Sequence, residues 1–343
     1  MGLIRLLLTI SVVLVHAGLP SLIGGRLAVQ VFFLISGYVI SLVLNEPGRY
    51  RSAWDFYTAR ALRIWPEYLL VLSLTAAAFS VIGLPEEAEI VRVYQSNIQG
   101  FVALSQLTII CQDWLLFMPG MRFGALAPQM WAIALEIYFY LLAPFVVRRP
   151  RAMLLLFGAS VSLRFALLIF GPGSADPWTY RFFPTELAIF MLGTLGERFL
   201  PKAIGTKAAA FGAIAALFAI ILLPRLNSHA ILLSVAALTT VALAAPALIR
   251  FDAVMPWSRR LGDLGFPIFV VHVLVLNMTR QIWGDSTSTA LIGTLTAIVI
   301  GAALHRFFTA RLDGWRRSMR LRLQRSPIGR GELPELTGQV ARG

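Results

Sequence analysis

The chain has 343 residues, of which 58% are hydrophobic and only 14% charged. A soluble domain of this length carries about a quarter charged residues, so the composition excludes a soluble globular enzyme and points to a polytopic membrane protein. The net charge of +13 does not indicate nucleic acid, because the arginines gather in short clusters between apolar stretches, as topology signals do.

Eleven apolar stretches follow in order, near residues 3–19, 27–45, 64–83, 98–118, 129–147, 152–170, 183–199, 208–223, 230–249, 264–283 and 289–309. The first carries Arg5 and, eleven residues later, His16. At about 100° per residue the two side chains leave the same helix face, separated by roughly 16 Å along the axis. One face thus bears a cation near one surface and a proton-exchanging group deeper in, and intramembrane ionisable groups mark function by default. The run Pro20-Ser21-Leu22-Ile23-Gly24-Gly25 that follows offers no small-x-small cleavage site, so the first stretch is expected to be retained. Cys111 is the only cysteine, which excludes an intrachain disulfide.

Basic clusters then set the crossings. Arg49, Arg51, Arg60 and Arg63 follow the second stretch, Arg148, Arg149 and Arg151 the fifth, Arg198, Lys202 and Lys207 the seventh, and Arg250, Arg259 and Arg260 the ninth. Arg311, Arg316, Arg317, Arg320 and Arg322 follow the last. All fall on one side only if 98–118, the most polar stretch with Gln99, Gln106, Gln112 and Asp113, does not cross. The expectation is an all-α bundle of about ten spans with both termini cytoplasmic and 98–118 re-entrant or buried within the bundle. The acidic patch Glu86, Glu87 and Glu89 then falls outside. Residues 1–310 form the membrane domain, and 311–343 a basic, partly disordered cytoplasmic tail.

On that topology His16 lies roughly 20 Å from the cytoplasmic edge and Glu136 roughly 10 Å below the outer edge, the same level of a core about 30 Å thick. A carboxylate beside an imidazole fixes its tautomer and raises its basicity. Blander readings stand alongside. His16 can be a helix–helix hydrogen bonder, Arg5 a snorkelling anchor, and Glu136 the counter-ion of Arg164 on the sixth stretch. Arg60 and Arg63, spaced i, i+3 at the cytoplasmic end of the third stretch, suit a phosphate clamp or ordinary positive-inside anchoring. His272 and His305, within later spans, read as structural histidines.

Five segments match a pattern. Arg5-x10-His16, the run Val31-Phe32-Phe33-Leu34-Ile35-Ser36-Gly37-Tyr38, the stretch from Phe56 to Tyr68, Trp131-x4-Glu136-x2-Phe139-Tyr140, and Leu261-Gly262 through His272 occur in this order. Together they resemble the acyltransferase 3 family of bacterial membrane O-acyltransferases, over Arg5 to about Phe308. Departures are Gln30 before the Phe-Phe pair, Pro267 in the later motif and His305 in the last span. The resemblance implies an inner-membrane O-acyltransferase, most simply an O-acetyltransferase, moving an acyl group from cytoplasmic acyl-CoA to a carbohydrate or lipid-linked glycan. On this reading Arg5, Arg60 and Arg63 hold the phosphates of acyl-CoA. His16 is general base with Glu136 orienting it, and a transient acyl-histidine stays open. Gln30, Ser36, Arg164 and His272 are candidates for the acceptor site or for structural polar contacts. Neither a metal nor a permanently bound cofactor is implied. The hydrolase-like extension of many relatives is not expected, so the chain would act alone, as a homo-oligomer or with a separate periplasmic partner. A transporter or flippase of glycan intermediates, or an acyltransferase for an antibiotic or polyketide sugar, would use the same buried groups.

Overall fold

A computed structural model describes residues 1–82, 97–118, 125–171, 176–200 and 230–316, with scattered positions between 205 and 218. The acidic patch at 86–89, most of the 208–223 stretch and the tail beyond 316 lie outside the described residues. All regular structure among the described residues is helical: α1 Gly2–His16, α2 Gly25–Asn45, α3 Ala53–Ile82, α4 Gln99–Thr108, α5 Trp131–Val146, α6 Pro150–Phe170, α7 Phe183–Phe199, α8 Ala230–Val254, α9 Pro256–Asp263, α10 Gly265–Trp283 and α11 Thr287–Leu304. Seven helical segments of this set are long and apolar enough to cross a membrane, and α1 is a shorter apolar helix.

The tightest seam joins α2 and α7, and glycines make it. A Cβ built on Gly37 would lie 2.0 Å from the Phe190 carbonyl oxygen, and one on Gly193 would lie 2.1 Å from that of Leu34. Both backbones approach as closely as helices can, which needs residues without side chains. Above the seam Phe33, Phe190 and Phe139 stack, with centroids 4.6 and 4.7 Å apart, fixing α5 against the pair; such ring pairs each contribute about 1 kcal/mol beyond area burial. By contrast α6 turns Leu155, Phe165, Ile169 and Phe170 outward, the lipid-facing surface a peripheral span requires.

Two relationships position the site. Helices α1 and α10 run side by side in one direction. Thr9 Oγ1 faces the Gly265 carbonyl at 3.4 Å and His16 faces His272, a constant offset of 256 residues. Helix α5 runs antiparallel to α3. Near its end the Leu141 carbonyl accepts from Tyr57 Oη at 2.9 Å. Just ahead of its start the Leu126 amide donates to the Gln106 side chain at 2.8 Å, and the Gln106 carbonyl accepts from Tyr68 Oη further along α3. There too Gln129 Nε2 donates to the Val270 carbonyl of α10 at 2.8 Å.

The connection from α3 to α5 contains the 98–118 stretch. Its ten-residue helix α4 and the 3-10 helix Gln112–Phe117 are each too short for a core about 30 Å thick at 1.5 Å per residue. Its polar side chains turn inward. Tyr68 Oη donates to the Gln106 carbonyl, Gln112 Nε2 donates to Tyr68 Oη at 2.9 Å, and Tyr138 Oη donates to Asp113 at 2.7 Å. Burial raises the Asp113 carboxyl from its ordinary range to about 6.

Three differences from expectation stand out. The short helix α9 fills what reads in sequence as a charged loop, and it packs on the start of α1. There Asp252 accepts from the Gly2 amide at 2.8 Å and Ser258 Oγ from the Leu3 amide at 3.0 Å, capping by residues remote in sequence that no local signal announces. The last helix does not stop near residue 310 but continues through a π turn, His305–Thr309, to Arg316. Finally, α1 is only 15 residues long and ends at His16, so its histidine sits at a helix terminus instead of within a longer span.

Candidate active site

The two ends of α1 face different chemistry. At one end Arg5 lines a cavity of about 60 Å³ together with Thr9, Phe33, Ser36, Glu136, Phe266 and Phe269, room for a few water molecules. Four helices build it: α1, α2, α5 and α10. Glu136 accepts from Ser36 Oγ and, at 2.5 Å, from Tyr140 Oη one helical turn away. Among the described residues no hydrogen bond or ion pair reaches the Arg5 guanidinium, although Arg63, Glu136 and Asp263 are near enough to act on its charge.

Arg60 donates to Tyr50 Oη at 3.2 Å, and its guanidinium carbon lies 5.4 Å from the Phe56 ring centroid and 5.9 Å from that of Tyr140. Those aromatic faces hold a cation without neutralising it. Arg63, one turn further along α3, is exposed. The structure therefore brings Arg5, Arg60 and Arg63, far apart in sequence, to one end of the bundle around Tyr140 and Glu136. The three arginines outnumber the carboxylates that act on Arg5, Glu136 and Asp263, and leave a positive surface able to take a polyanion.

At the other end stands His16, exposed at the end of α1. Its Nδ1 lies 2.6 Å from His272 Nε2, and His272 Nδ1 lies 2.6 Å from the Phe269 carbonyl oxygen. The two ring planes differ by only 7°, with centroids 4.9 Å apart. Rings stacked face to face could not bring two nitrogens to 2.6 Å without a clash, so they meet edge to edge in one plane through a hydrogen bond. Phe269 links this pair to the Arg5 cavity, which its side chain lines.

The expected pairing of His16 with Glu136 does not occur. Glu136 lies at the Arg5 level, bonded to Ser36 and Tyr140. The partner of His16 is His272, on a helix parallel to α1. The carboxylate lies elsewhere because α1 is short and because Gln129, two residues ahead of α5, already stands beside Val270 and therefore at the His16 level. Seven residues of helix then carry Glu136 roughly 10 Å back toward Arg5.

Arg164 is not the partner of Glu136 either. Its guanidinium donates to Glu186 at 2.8 Å and to the Thr179 and Thr185 carbonyls at 3.0 and 2.8 Å. Gln30 Nε2 completes the cluster with a 3.1 Å bond to Glu186. Gln30 and Arg164 thus belong to a network that ties α2, α6 and α7 together, and Ser36 belongs to the cavity.

A family model described as an acyltransferase domain, Acyl_transf_3, matches residues 1–306. The chain belongs to the acyltransferase 3 family. Among curated relatives, O-acetyltransferase OatA of Staphylococcus aureus strain NCTC 8325 is 30% identical over 149 residues, 42% of this chain and 24% of the relative. OatA of strains COL and MRSA252 matches to the same extent. The match therefore spans about a quarter of the length of these relatives. No solved structure matches the chain. As a member of this family with seven helical segments long and apolar enough to cross a membrane among its described residues, the protein is a multi-pass membrane protein.

The histidine end of the bundle also holds residues without a motif in the sequence. Arg280 donates to the His16 carbonyl at 2.7 Å, and the charges of Arg181 and Arg280 are both felt at His16. Arg181 lies 4.8 Å from the Trp131 ring centroid and 3.1 Å from Asp176, while Arg26 lies 5.1 Å from that of Tyr180 and donates to the Thr179 carbonyl at 2.7 Å. One sequence signal was available: these three arginines flank stretches at the ends opposite the basic clusters, where positive-inside placement would not put them. Among the described residues no group of three or more His, Cys, Asp or Glu side chains is arranged to hold a metal ion.

Proposed function

We propose that the protein is an integral inner-membrane O-acyltransferase that moves an acyl group, most simply acetyl, from cytoplasmic acyl-CoA to a hydroxyl of a cell-surface or exported glycan. One observation carries the proposal: α1 joins an arginine-rich, phosphate-suited end to a histidine end, and the cavity at the arginine end is lined by Phe269, whose carbonyl pairs with His272. In this reading Arg5, Arg60 and Arg63 hold the phosphates of the donor. Glu136, with Ser36 and Tyr140, keeps the cavity wall polar beside Arg5. The flexible arm of the donor carries its thioester along the Phe269 wall to His16, which takes the proton of the acceptor hydroxyl. The curated relatives, named O-acetyltransferases, favour acetyl and a hydroxyl acceptor. Topology supports the sidedness. The antiparallel course of α3 and α5 and the shortness of α4 agree with a 98–118 stretch that does not cross, and on that reading the basic clusters, Arg60 and Arg63 among them, share the cytoplasmic side.

Purified protein in detergent or liposomes, supplied with acetyl-CoA and a panel of oligosaccharides, tests this directly. Acetyl transfer, or slow hydrolysis of acetyl-CoA without acceptor, is expected of wild type and should vanish in His16→Ala with membrane insertion intact. Arg60→Gln combined with Arg63→Gln should weaken acetyl-CoA binding by about a hundredfold, since each lost guanidinium–phosphate pair removes interaction present in ground and transition states alike. No turnover by well-folded wild type, together with glycan movement across liposomes, would replace the reading with a transporter.

A further inference from the structure

The histidine pair fixes more than position. The Phe269 carbonyl can only accept, so His272 Nδ1 must carry a proton. His272 is fully buried, and among the described residues no carboxylate bonds to it, so its ring is neutral and its Nε2 holds a lone pair. The 2.6 Å contact then requires His16 to donate from Nδ1. A neutral imidazole carries one proton, so the other nitrogen of His16, Nε2, is left bare.

We propose that His272 is a positioning residue for acyl transfer: through Phe269 it holds His16 in the tautomer whose free Nε2 is the base. The proposal rests on His16 being the proton acceptor, as in the reading above, and extends it to a residue on a different helix. The step balances as follows. The acceptor hydroxyl gives its proton to His16 Nε2 while its oxygen bonds to the thioester carbonyl carbon. The carbon–sulfur bond breaks, and the departing thiolate takes the proton from Nε2. Throughout, Nδ1–H stays on His272, so the imidazolium formed in the transition state is already hydrogen-bonded and no ring has to turn. The parallel course of α1 and α10 serves this: with a constant register, the Phe269 carbonyl, His272 and His16 lie on one line.

Three substitutions at His272 test the role, with His16→Ala as control. His272→Gln can place its carboxamide oxygen where Nε2 stood. His272→Asn is too short to reach His16, and His272→Phe fills the space without an acceptor. Each is purified and checked for monodispersity, melting temperature and acetyl-CoA affinity before steady-state kinetics. We expect kcat in His272→Phe to fall about a hundredfold or more, the scale of a lost tautomer partner in hydrolytic triads, with KM for acetyl-CoA nearly unchanged. His272→Gln should exceed His272→Asn by at least about tenfold. If Phe does not fold, the Gln–Asn comparison decides alone. A kcat for Phe close to wild type, or equal kcat for Gln and Asn, overturns the proposal. An active His16→Ala would instead sink the base assignment itself, and the two failures are separable.

Discussion

Removing Glu186 should be among the most damaging single changes outside the site, and removing its partner as well should repair much of the harm. Glu186 is fully buried and accepts from Arg164 at 2.8 Å and from Gln30 at 3.1 Å. In Glu186→Leu the Arg164 guanidinium, only 22% exposed, keeps its two carbonyl acceptors but loses its counter-charge. An arginine cannot shed its proton to escape. Breaking a buried pair in this way costs about 3–5 kcal/mol, and the stranded Gln30 amide adds to it. Arg164→Met should be milder by about 1–2 kcal/mol, since the carboxyl left behind can take up a proton. The double variant removes both charges and puts apolar side chains in their place, so its cost should stay near 1–2 kcal/mol. Unfolding in mixed micelles, titrated with SDS and followed by tryptophan fluorescence, gives the four corners of the cycle. The reasoning predicts a coupling of at least about 2 kcal/mol. A double variant whose loss equals the sum of the singles would show that the pair carries no mutual energy, and that Arg164 is held by the Thr179 and Thr185 carbonyls alone.

Two further outcomes follow from packing and burial. Gly37→Ala drives a methyl into the Phe190 carbonyl at 2.0 Å, backbone against backbone, so α2 and α7 must separate; folded yield should drop sharply, at a cost of about 3 kcal/mol or more, and a normal yield with an unchanged melting temperature would refute the seam. Asp113 carries a pKa raised to about 6 against an ordinary value of 3.8, so its folded form favours the protonated state. The sign follows: stability from this group is full below pH 4 and lost as pH rises through 6. Asp113→Asn keeps an acceptor for Tyr138, should be neutral or stabilising at pH 7, and should flatten the melting temperature between pH 4 and 6; an unaltered slope would contradict it.

Much of the architecture was legible because apolar length and charge clusters are one-dimensional signals. The bounds of α2, α6, α7 and α10 follow their apolar runs within a few residues, and Arg5, Arg60 and Arg63 converge because each sits at a helix end that topology sends to the same side. What stayed hidden depends on pairing between distant helices. Neither Glu186 nor the caps at Asp252 and Ser258 have a local signature, since their partners lie on other helices. Rise per residue counted from membrane edges brings the carboxylate at 136 to the level of His16, whereas Gln129 already stands near that level and Glu136 lies about two helical turns beyond it. Depth summed along single helices accumulates such errors.

Register between neighbouring helices does not accumulate them in the same way. Thr9 with Gly265 and His16 with His272 share one offset, so once one contact between α1 and α10 is known the other follows at 1.5 Å per residue along both helices. The same register explains why the histidine pair and the arginine cavity are coupled. Arg5 and Thr9 lie on α1 and Phe266 and Phe269 on α10, all lining the cavity, and about two turns beyond the Thr9–Gly265 contact along both helices His16 stands opposite His272. A slip of α1 by a single residue against α10 would turn His16 by about 100° and open the His16–His272 bond while leaving the apolar surface of both helices covered. The capping of α1 by Asp252 and Ser258 from α8 and α9 opposes that slip. It anchors the start of the helix to the segment that leads directly into α10, so the geometry of the histidine end is set from the arginine end of the same helix.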